Sequence, residues 1–550
     1  MNSTTKHTKK PASIVKSGLS LSILTLFSRI LGLVREMVKS RFLGTSPLAD
    51  AFTVSFLIPN LLRRLFAENS MTVAFIPTFK ELLEKNEDER QKNEEMKDFL
   101  SSIFTIVSFF TTIVVMLGII FTPYILKVLF PKLEDGVSAI FLTRIMFPYL
   151  FFISLAAFFQ GILNGVKIFS PSGFTPILFN ISVIGCTYAF SGKTSNPAVA
   201  MSIGVIIGGF LQASFQAPYV MRQKFKFAPC SLIKAFKNNY TKKTLRLIGP
   251  TIIGMAAYQI NDLVSTSLAT AYGTGIASSL QYSLRLQELL LGVFVVSISS
   301  VILPDLSAYA IKKEWKSFEN LFLQSIKVIA LITIPASFFA FCSGKEIVSI
   351  IYRRASFDSS SVALTVLAFN CHIVGLFFIA LNRVIAPAFY AMQDSDSPTI
   401  AGISSFVVNI FFALILVKWW LGGGIALALS IASIANTLLL FALLRKKQVL
   451  NIKKISTETL VFSMKIAIFS SIASIPSYMY TTKLENFLIN SCHLNLILSY
   501  IVALLILFSI FSTICITFLL LSKDAIALLL LKKIKSIFCK FYKRRGNNEC

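Results

Sequence analysis

The chain has 550 residues, 55% of them hydrophobic and only 14% charged, with 51 Phe, a net charge of +27 and a mean hydropathy of +0.72. Soluble domains carry about 25% charged residues, so this composition excludes a soluble globular protein and points to a polytopic membrane one. The eight cysteines stand singly with no CxxC pair, which excludes a disulfide framework or a zinc ribbon as the organising principle.

Runs of roughly 20 apolar residues recur along the whole chain, each enough to cross about 30 Å of hydrocarbon as a helix. Lipid satisfies no exposed backbone N–H or C=O, and the alternating ten-residue pattern of barrel strands is missing, so the expected fold class is all-α. About fourteen spans are expected, near 18–42, 48–79, 99–126, 138–165, 172–190, 197–221, 246–270, 276–303, 319–342, 360–388, 398–418, 421–444, 459–480 and 493–521. The leading "MNSTTKHTKKPASIVKSG" is basic but is followed by no small-residue cleavage site, and it reads as a retained tail rather than a signal peptide.

The first span holds "FSRILGLVREMVKS", with Arg29, Arg35, Glu36 and Lys39 inside eleven residues. On a helix, with Ser28 as zero, Ser22, Thr25, Arg29, Gly32, Arg35, Glu36, Lys39 and Ser40 fall within about −20° to +120°. The intervening Leu, Ile, Val, Phe and Met lie outside that arc. Such a helix also suits the membrane interface, but removing it as a span inverts the alternation of basic loops, and other spans repeat the device. The second begins with Asp50 and carries Asn60, Arg63, Arg64 and Glu68 after Pro59, where a bend is expected. The eighth places Gln281, Arg285, Glu288, Gly292 and Ser299 on one face.

An Arg at mid-membrane costs about 2.5–3.5 kcal/mol, so five facing lipid at depth would cost roughly 12–17 kcal/mol. A hydrated cavity is the economical alternative. Asp50, Glu36 and Glu288 are too few to neutralise Arg29, Arg35, Arg63, Arg64 and Arg285, and Arg forks suit diphosphate oxygens. A bound anion is expected. Arg64, next to Arg63, is the member best suited to a purely structural role. His372 and His493 read as packed, neutral side chains rather than ligands.

Lys and Arg crowd the even-numbered connections: "KELLEKNEDERQKNEEMKD", "RQKFKFAPCSLIKAFKNNYTKKTLR", "KKEWK", "RKKQVLNIKK" and the tail "KKIKSIFCKFYKRR". That bias places both termini in the cytoplasm and makes the positive charge topogenic rather than a nucleic-acid footprint. Pro77 and Pro304, Pro171 and Pro398, and Asn180 and Asn409 recur in similar contexts at offsets of 227, 227 and 229. The expected organisation is therefore two six-helix lobes in parallel repeat, 1–222 and 240–446, then helices 13 and 14 over 459–521 and a basic cytoplasmic tail over 522–550.

"FSRILGLVRE", "ADAF", "PNLLRRLFAE" with "AFIP", "FQGILNGVKIFSPSGFTPILFNISVIG", "RLQELLLGVFVVSISSVILP" and "APAFYAMQDSDSP" resemble, in this order, the signature of the lipid II flippase family MurJ (MviN). That family belongs to the multidrug, oligosaccharidyl-lipid and polysaccharide exporters. The resemblance covers about 18–446, and it implies two six-helix lobes plus two helices that hold a lipid tail. It implies translocation of the lipid-linked peptidoglycan precursor from the cytoplasmic to the periplasmic leaflet of the bacterial inner membrane. It assigns headgroup binding to Arg29, Arg35, Arg63 and Arg285 with Asp50 and Glu288, and gating or support to Ser28, Glu36, Arg64 and Glu68. Departures are Leu284, where an acidic or amide residue is common, and Asn69 in place of a small Gly. Ala413 offers no carboxylate one turn after Asn409, and Asp262 is out of register, so no sodium or other metal site is expected.

No GxxxxGK[ST] loop is present, so ATP hydrolysis by this chain is not expected, nor is any cofactor. Transport by alternating access, biased by membrane potential or an ion gradient, is the expected mechanism, with cell-wall synthesis proteins as possible partners and no nucleic acid. An exporter of drugs or of another polyprenyl-linked glycan is the alternative within transport. A membrane enzyme fits poorly, because three isolated histidines and no dense acidic loop give it no catalytic cluster.

Overall fold

The computed structural model of the protein describes residues 11–68, 71–85 and 89–522, and every regular element among them is helical. The expected basic tail lies outside the described residues from 523 onward. Helices long and apolar enough to cross a membrane number eight among the described residues, or nine when Ser359–Val374 and Leu376–Ala391, bent by 43°, count as one span. The chain packs as two units, Met1–Tyr282 with Arg354–Ser361, and Ser283–Arg353 with Val362–Cys550.

In the first unit α1 (Pro11–Leu43) turns tightly into α2 (Pro47–Leu62). The α2 start is made by Ser46, whose hydroxyl accepts from the Ala49 N–H, with Pro47 in the first turn, where a missing N–H costs nothing. Pro59 lies inside α2, and four residues on the winding loosens into two π-helical segments, Arg63–Glu68 and Met71–Phe75, before α3 (Ile76–Glu84). The expected disturbance at Pro59 thus takes the form of wider turns, which are rare and concentrate at functional sites.

The unit continues through α4 (Glu89–Leu129), α5 (Gly136–Met146), α6 (Tyr149–Gly165), α7 (Ser170–Phe190), α8 (Pro197–Arg222), the short α9 (Leu232–Lys237) and α10 (Asn239–Tyr272). Its core is aromatic: Phe75 stacks on Phe79 and Phe99 at 5.5 Å and meets Phe158 edge-on at 5.7 Å. These rings fix α3, α4 and α6 together just beyond the π-helical segments. α1 packs along α7, and that pairing positions the first charged face.

The second unit takes most of α11 (Ile276–Ile311), then α12 (Trp315–Cys342), α13 (Gly344–Tyr352), α14 (Ser359–Val374), α15 (Leu376–Ala391), α16 (Asp396–Lys446), α17 (Ile452–Asn490) and α18 (Leu496–Leu521). α16 is broken at Trp420 and Leu421, whose φ values of −125° and +47° divide it into two arms. α17 and α18 pack as a pair beside α12 through Phe339, Ala473, Leu507 and Phe511. Outward, the pair shows a largely apolar face that includes Ile468, Ile472, Leu505, Phe508 and Ile516, with the hydroxyls of Ser509, Thr513 and Thr517 turned back to the α18 backbone.

His372 is buried, with Nδ1 2.6 Å from the Ser283 hydroxyl, and Gln287 donates to its backbone carbonyl at 2.6 Å. His493 differs from expectation. It is exposed, in the turn between α17 and α18, with φ of +52°. The six described cysteines are free thiols.

Candidate functional site

The charged face of α1 is set by which residues the neighbouring helices cover. Leu26, Phe27 and Ile30 are exposed, whereas Gly32, Glu36, Lys39 and Ser40 are buried and Ser28, Arg29 and Arg35 half-buried. Arg29, Gly32 and Glu36 follow each other at i, i+3 and i+7, one ridge of a helix. The polar stripe therefore turns toward protein and the apolar side outward.

Arg35 is held from three directions. Its guanidinium donates to Glu36 Oε1 at 2.8 Å and to Asn180 Oδ1 at 3.2 Å, and it lies 5.5 Å from the Phe179 ring centroid. Asn180, buried on α7, uses its other end to donate to the Ser28 carbonyl at 3.3 Å. One amide thus ties α7 to α1 at both ends of the stripe. Arg29 lies between those ties and has no hydrogen-bond or ion-pair partner among the described residues. A guanidinium offers five donors in a fixed fork, and no described residue takes up those of the half-sheltered Arg29.

Ten residues on, the charges do something else. Lys39, buried, donates to Thr53 Oγ1 at 2.7 Å and sits 5.1 Å from the Tyr282 ring centroid. Tyr282 in turn donates to the Gly44 carbonyl at 3.0 Å. Asp50, 3% exposed, accepts from the N–H of Gly275 at 2.6 Å and of Ser278 at 2.8 Å. Both donors belong to the start of α11, whose first N–H groups have no partner within the helix. Asp50 is a capping residue supplied from α2, and its negative charge suits the helix N-terminus.

The joint is tight enough to dictate glycine at two positions. Gly44 has φ of +59°, and a Cβ there would stand 2.1 Å from the Ser356 carbonyl oxygen; at Gly275, φ +78°, a Cβ would stand 2.4 Å from that of Thr45. A cleft of about 280 Å³ opens on one side of Asp50, lined by Lys132, Glu134, Thr270 and Gly273 among others. Within this unit, then, both oxygens of Asp50 are committed to backbone, and its contribution to any anion site is through the position of α11.

The arginines of α2 occupy the loosened turns. Arg63 Nε donates to Asn60 Oδ1 at 3.0 Å, and Arg64 reaches Gln259 Oε1 on α10 at 3.4 Å. Glu68 belongs to the same π-helical segment, and its side chain lies outside the described residues. In the second unit Arg285 pairs with Glu288 at 2.9 Å, one turn apart on α11, with side chains 35% and 55% exposed. Such an exposed pair contributes about 1 kcal/mol or less, so it holds Arg285 only weakly.

Sequence reasoning brought Arg29, Arg35 and Glu36 to one face, and the structure adds the groups that hold them. Asn180 entered only as a landmark of the repeat, and Thr53, Gln259 and Tyr282 gave no charge signal at all. Asp50 had a visible clue: "AYGTGIAS" starts a helix with Gly275 where a Ser, Asp or Asn cap is usual. The available chemistry is anion binding, with no group of three or more His, Cys, Asp or Glu placed to hold a metal among the described residues.

Comparison with known proteins gives one consistent result. The family model described as lipid II flippase MurJ matches residues 39–498. A relative from Treponema pallidum (strain Nichols), named a probable lipid II flippase MurJ, is 46% identical over 533 residues, 97% of this chain and 100% of its own length. One so named from Vibrio cholerae is 31% identical over 440 residues, 78% of this chain and 82% of its own. A solved lipid II flippase MurJ in an inward closed conformation superposes with a TM-score of 0.73 at 26% identity, over 91% of this chain and 98% of that one. An inward-facing MATE transporter of the MOP superfamily shares the fold, with a TM-score of 0.64 at 15% identity over 79% of this chain and 99% of its own.

Proposed function

The chain belongs to the lipid II flippase MurJ family, and on that premise we propose that it moves lipid II from the cytoplasmic to the periplasmic leaflet by alternating access. The observation that carries this reading is Arg29. It is a half-buried guanidinium on the inward face of α1, aligned by the neighbouring Arg35–Glu36–Asn180 network, without a partner of its own among the described residues. A diphosphate presents oxygens that such a fork binds in pairs, at roughly twice the strength of neutral hydrogen bonds. The resemblance gives Arg35, Arg63 and Arg285 the same headgroup. Their partners here (Glu36 and Asn180, Asn60, and Glu288) keep each fork extended until phosphate oxygens replace the weaker contacts.

Asp50 and Glu288 are positioning residues in this reading, the first by capping α11 and the second by holding Arg285. Ser28, Glu36, Arg64 and Glu68 support the same faces. The apolar pair α17 and α18 is the surface on which the isoprenoid tail runs, for its outward residues match a hydrocarbon chain. The substrate changes leaflet with no covalent bond made or broken, so the protein acts as a transporter rather than an enzyme, with no cofactor.

With fourteen spans as the sequence leads one to expect, the crowding of Lys and Arg on the even-numbered connections supports a multi-pass protein of the bacterial inner membrane with both termini in the cytoplasm. Partners beyond lipid II and membrane lipid are cell-wall synthesis proteins, which supply the substrate on one face and consume it on the other. The test is a leaflet-accessibility assay of the precursor after rapid depletion of the protein, with rescue by variants. Arg29→Ala should reach the membrane at normal levels and leave the precursor on the cytoplasmic leaflet. Full translocation by Arg29→Ala would overturn the assignment.

A further inference from the structure

A second cluster of ionisable groups lies far along the chain from the arginines, and the headgroup-binding account leaves it without a task. Glu346 on α13 and Glu485 near the end of α17 are each 4% exposed, and Lys345, beside Glu346 in the chain, reaches Glu485, so the two carboxyl groups are buried as neighbours. Glu346 Oε2 and Glu485 Oε1 receive no hydrogen bond from any described group. Two ionised carboxylates have only acceptor oxygens, so a hydrogen bond between them needs a proton that one must carry.

The cation that reaches Glu485 among the described residues does not remove that need. Lys345 Nζ stands 3.7 Å from the other Glu485 oxygen, with its side chain 54% exposed and its ammonium 5.7 Å from the Tyr500 ring on α18. One lysine offsets one negative charge and leaves the second buried, which is costly for an isolated carboxylate. The remaining neighbours named for α13 among the described residues add no charge. α12 ends beside α13 in Cys342, and α14 contributes Asn370, whose Oδ1 approaches Gly344 and likewise lacks a donor.

We propose that Glu346 and Glu485 together bind one proton, forming a carboxyl–carboxylate pair that fastens α13 to α17. Glu346 takes the proton from water and donates it in a hydrogen bond to Glu485, which stays ionised and keeps Lys345. Loss of the proton returns it to water and leaves two like charges face to face, which drives the helices apart. A metal cation is the poorer occupant, because Lys345 already supplies the positive charge and two carboxylates are too few ligands for a closed site. Burial first, and then the nearby Glu485, push the Glu346 carboxyl up to about 7, so its proton exchanges in the physiological range. Because α17 belongs to the apolar pair on which the lipid tail runs, the site links proton binding to that surface. The pair itself is independent of which lipid the protein carries.

A raised carboxylate stabilises the fold below its ordinary range, and the contribution fades as pH rises through the folded value. The thermal midpoint of the full-length protein in detergent should therefore fall as pH rises through about 7. Glu346→Gln, whose amide donates to Glu485 without titrating, should hold the low-pH midpoint across the range. Infrared spectroscopy of the wild type should show a buried protonated-carboxyl band that bleaches over the same pH interval and is missing in Glu346→Gln. A wild-type pH profile shared by Glu346→Gln, a wild type with no such band, or a midpoint that follows sodium concentration instead of pH would overturn the proposal.

Discussion

Two stretches of the first unit, one around Arg29 on α1 and one where α1 meets α2, carry charge into a membrane protein and use it in opposite ways. Around Lys39 and Asp50 each charge has a fixed partner: an ammonium on a threonine hydroxyl, a carboxylate on two backbone N–H groups, glycines where backbones nearly touch. Around Arg29 the network stops one residue short, closing over Arg35, Glu36 and Asn180 and leaving the next guanidinium without a partner among the described residues. Fully matched buried polar groups rigidify a fold. A positioned but unmatched one is a binding element, because its desolvation is compensated only when the ligand arrives. Residue type does not separate the two cases. The separation lies in what faces each side chain.

The contrast is broken most severely at Arg29. If Arg29 binds the diphosphate as proposed, Arg29→Ala removes hydrogen bonds to a charged ligand worth about 1.5–3 kcal/mol, so translocation should fall by roughly ten- to a hundredfold. The thermal midpoint should stay near the wild-type value, since no hydrogen bond or ion pair to a described residue is lost. Asp50→Ala should behave in the reverse sense. It deprives the start of α11 of its cap and strands two buried N–H groups, at a cost of about 1–3 kcal/mol, read as a lower thermal midpoint before any effect on substrate affinity is considered. A variant Asp50→Ala as stable as wild type would remove the distinction between the two stretches.

The smallest effect sharpens the comparison at a remote joint built on the same logic as Asp50. Asp394, between α15 and α16, accepts from the Ser397 N–H at 3.0 Å and hydroxyl at 2.7 Å and pairs with Lys447 at 2.7 Å. Burial works against its charge, but the Lys447 and Ser397 donors outweigh it and hold the carboxyl down at about 2. A lowered carboxylate stabilises above its ordinary range and loses that contribution as pH falls through the folded value. Asp394→Asn should therefore lower stability at neutral pH by about 1 kcal/mol or less, with the difference from wild type vanishing as pH approaches 2. Thermal melts at a series of pH values check this.

Much of the fold was legible because its signals are local. Apolar run length set the helices, the period of 3.6 turned Arg29, Arg35 and Glu36 to one side, and Pro59 announced the altered winding ahead of Arg63. The supports were illegible for the opposite reason. Asn180 lies 145 residues from Arg35, and Gly275 lies 225 from Asp50, and no periodicity encodes such meetings. Asp50 shows the consequence: its acidity suggested a partner for substrate or arginine, yet both its oxygens serve backbone. Glu346 and Glu485 illustrate the same limit, for neither belongs to a motif and only their burial side by side gives them chemistry. His493 looked like part of an apolar span and instead occupies the exposed turn that ends one.

The central claim is that Arg29 is held open for a diphosphate. The direct measurement is the affinity of purified full-length wild type and Arg29→Ala for lipid II in matched detergent, with the thermal midpoint recorded on the same samples. The account predicts binding weakened about tenfold or more at an unchanged midpoint. Equal affinities, or a loss of affinity that only tracks a loss of folding, would contradict it.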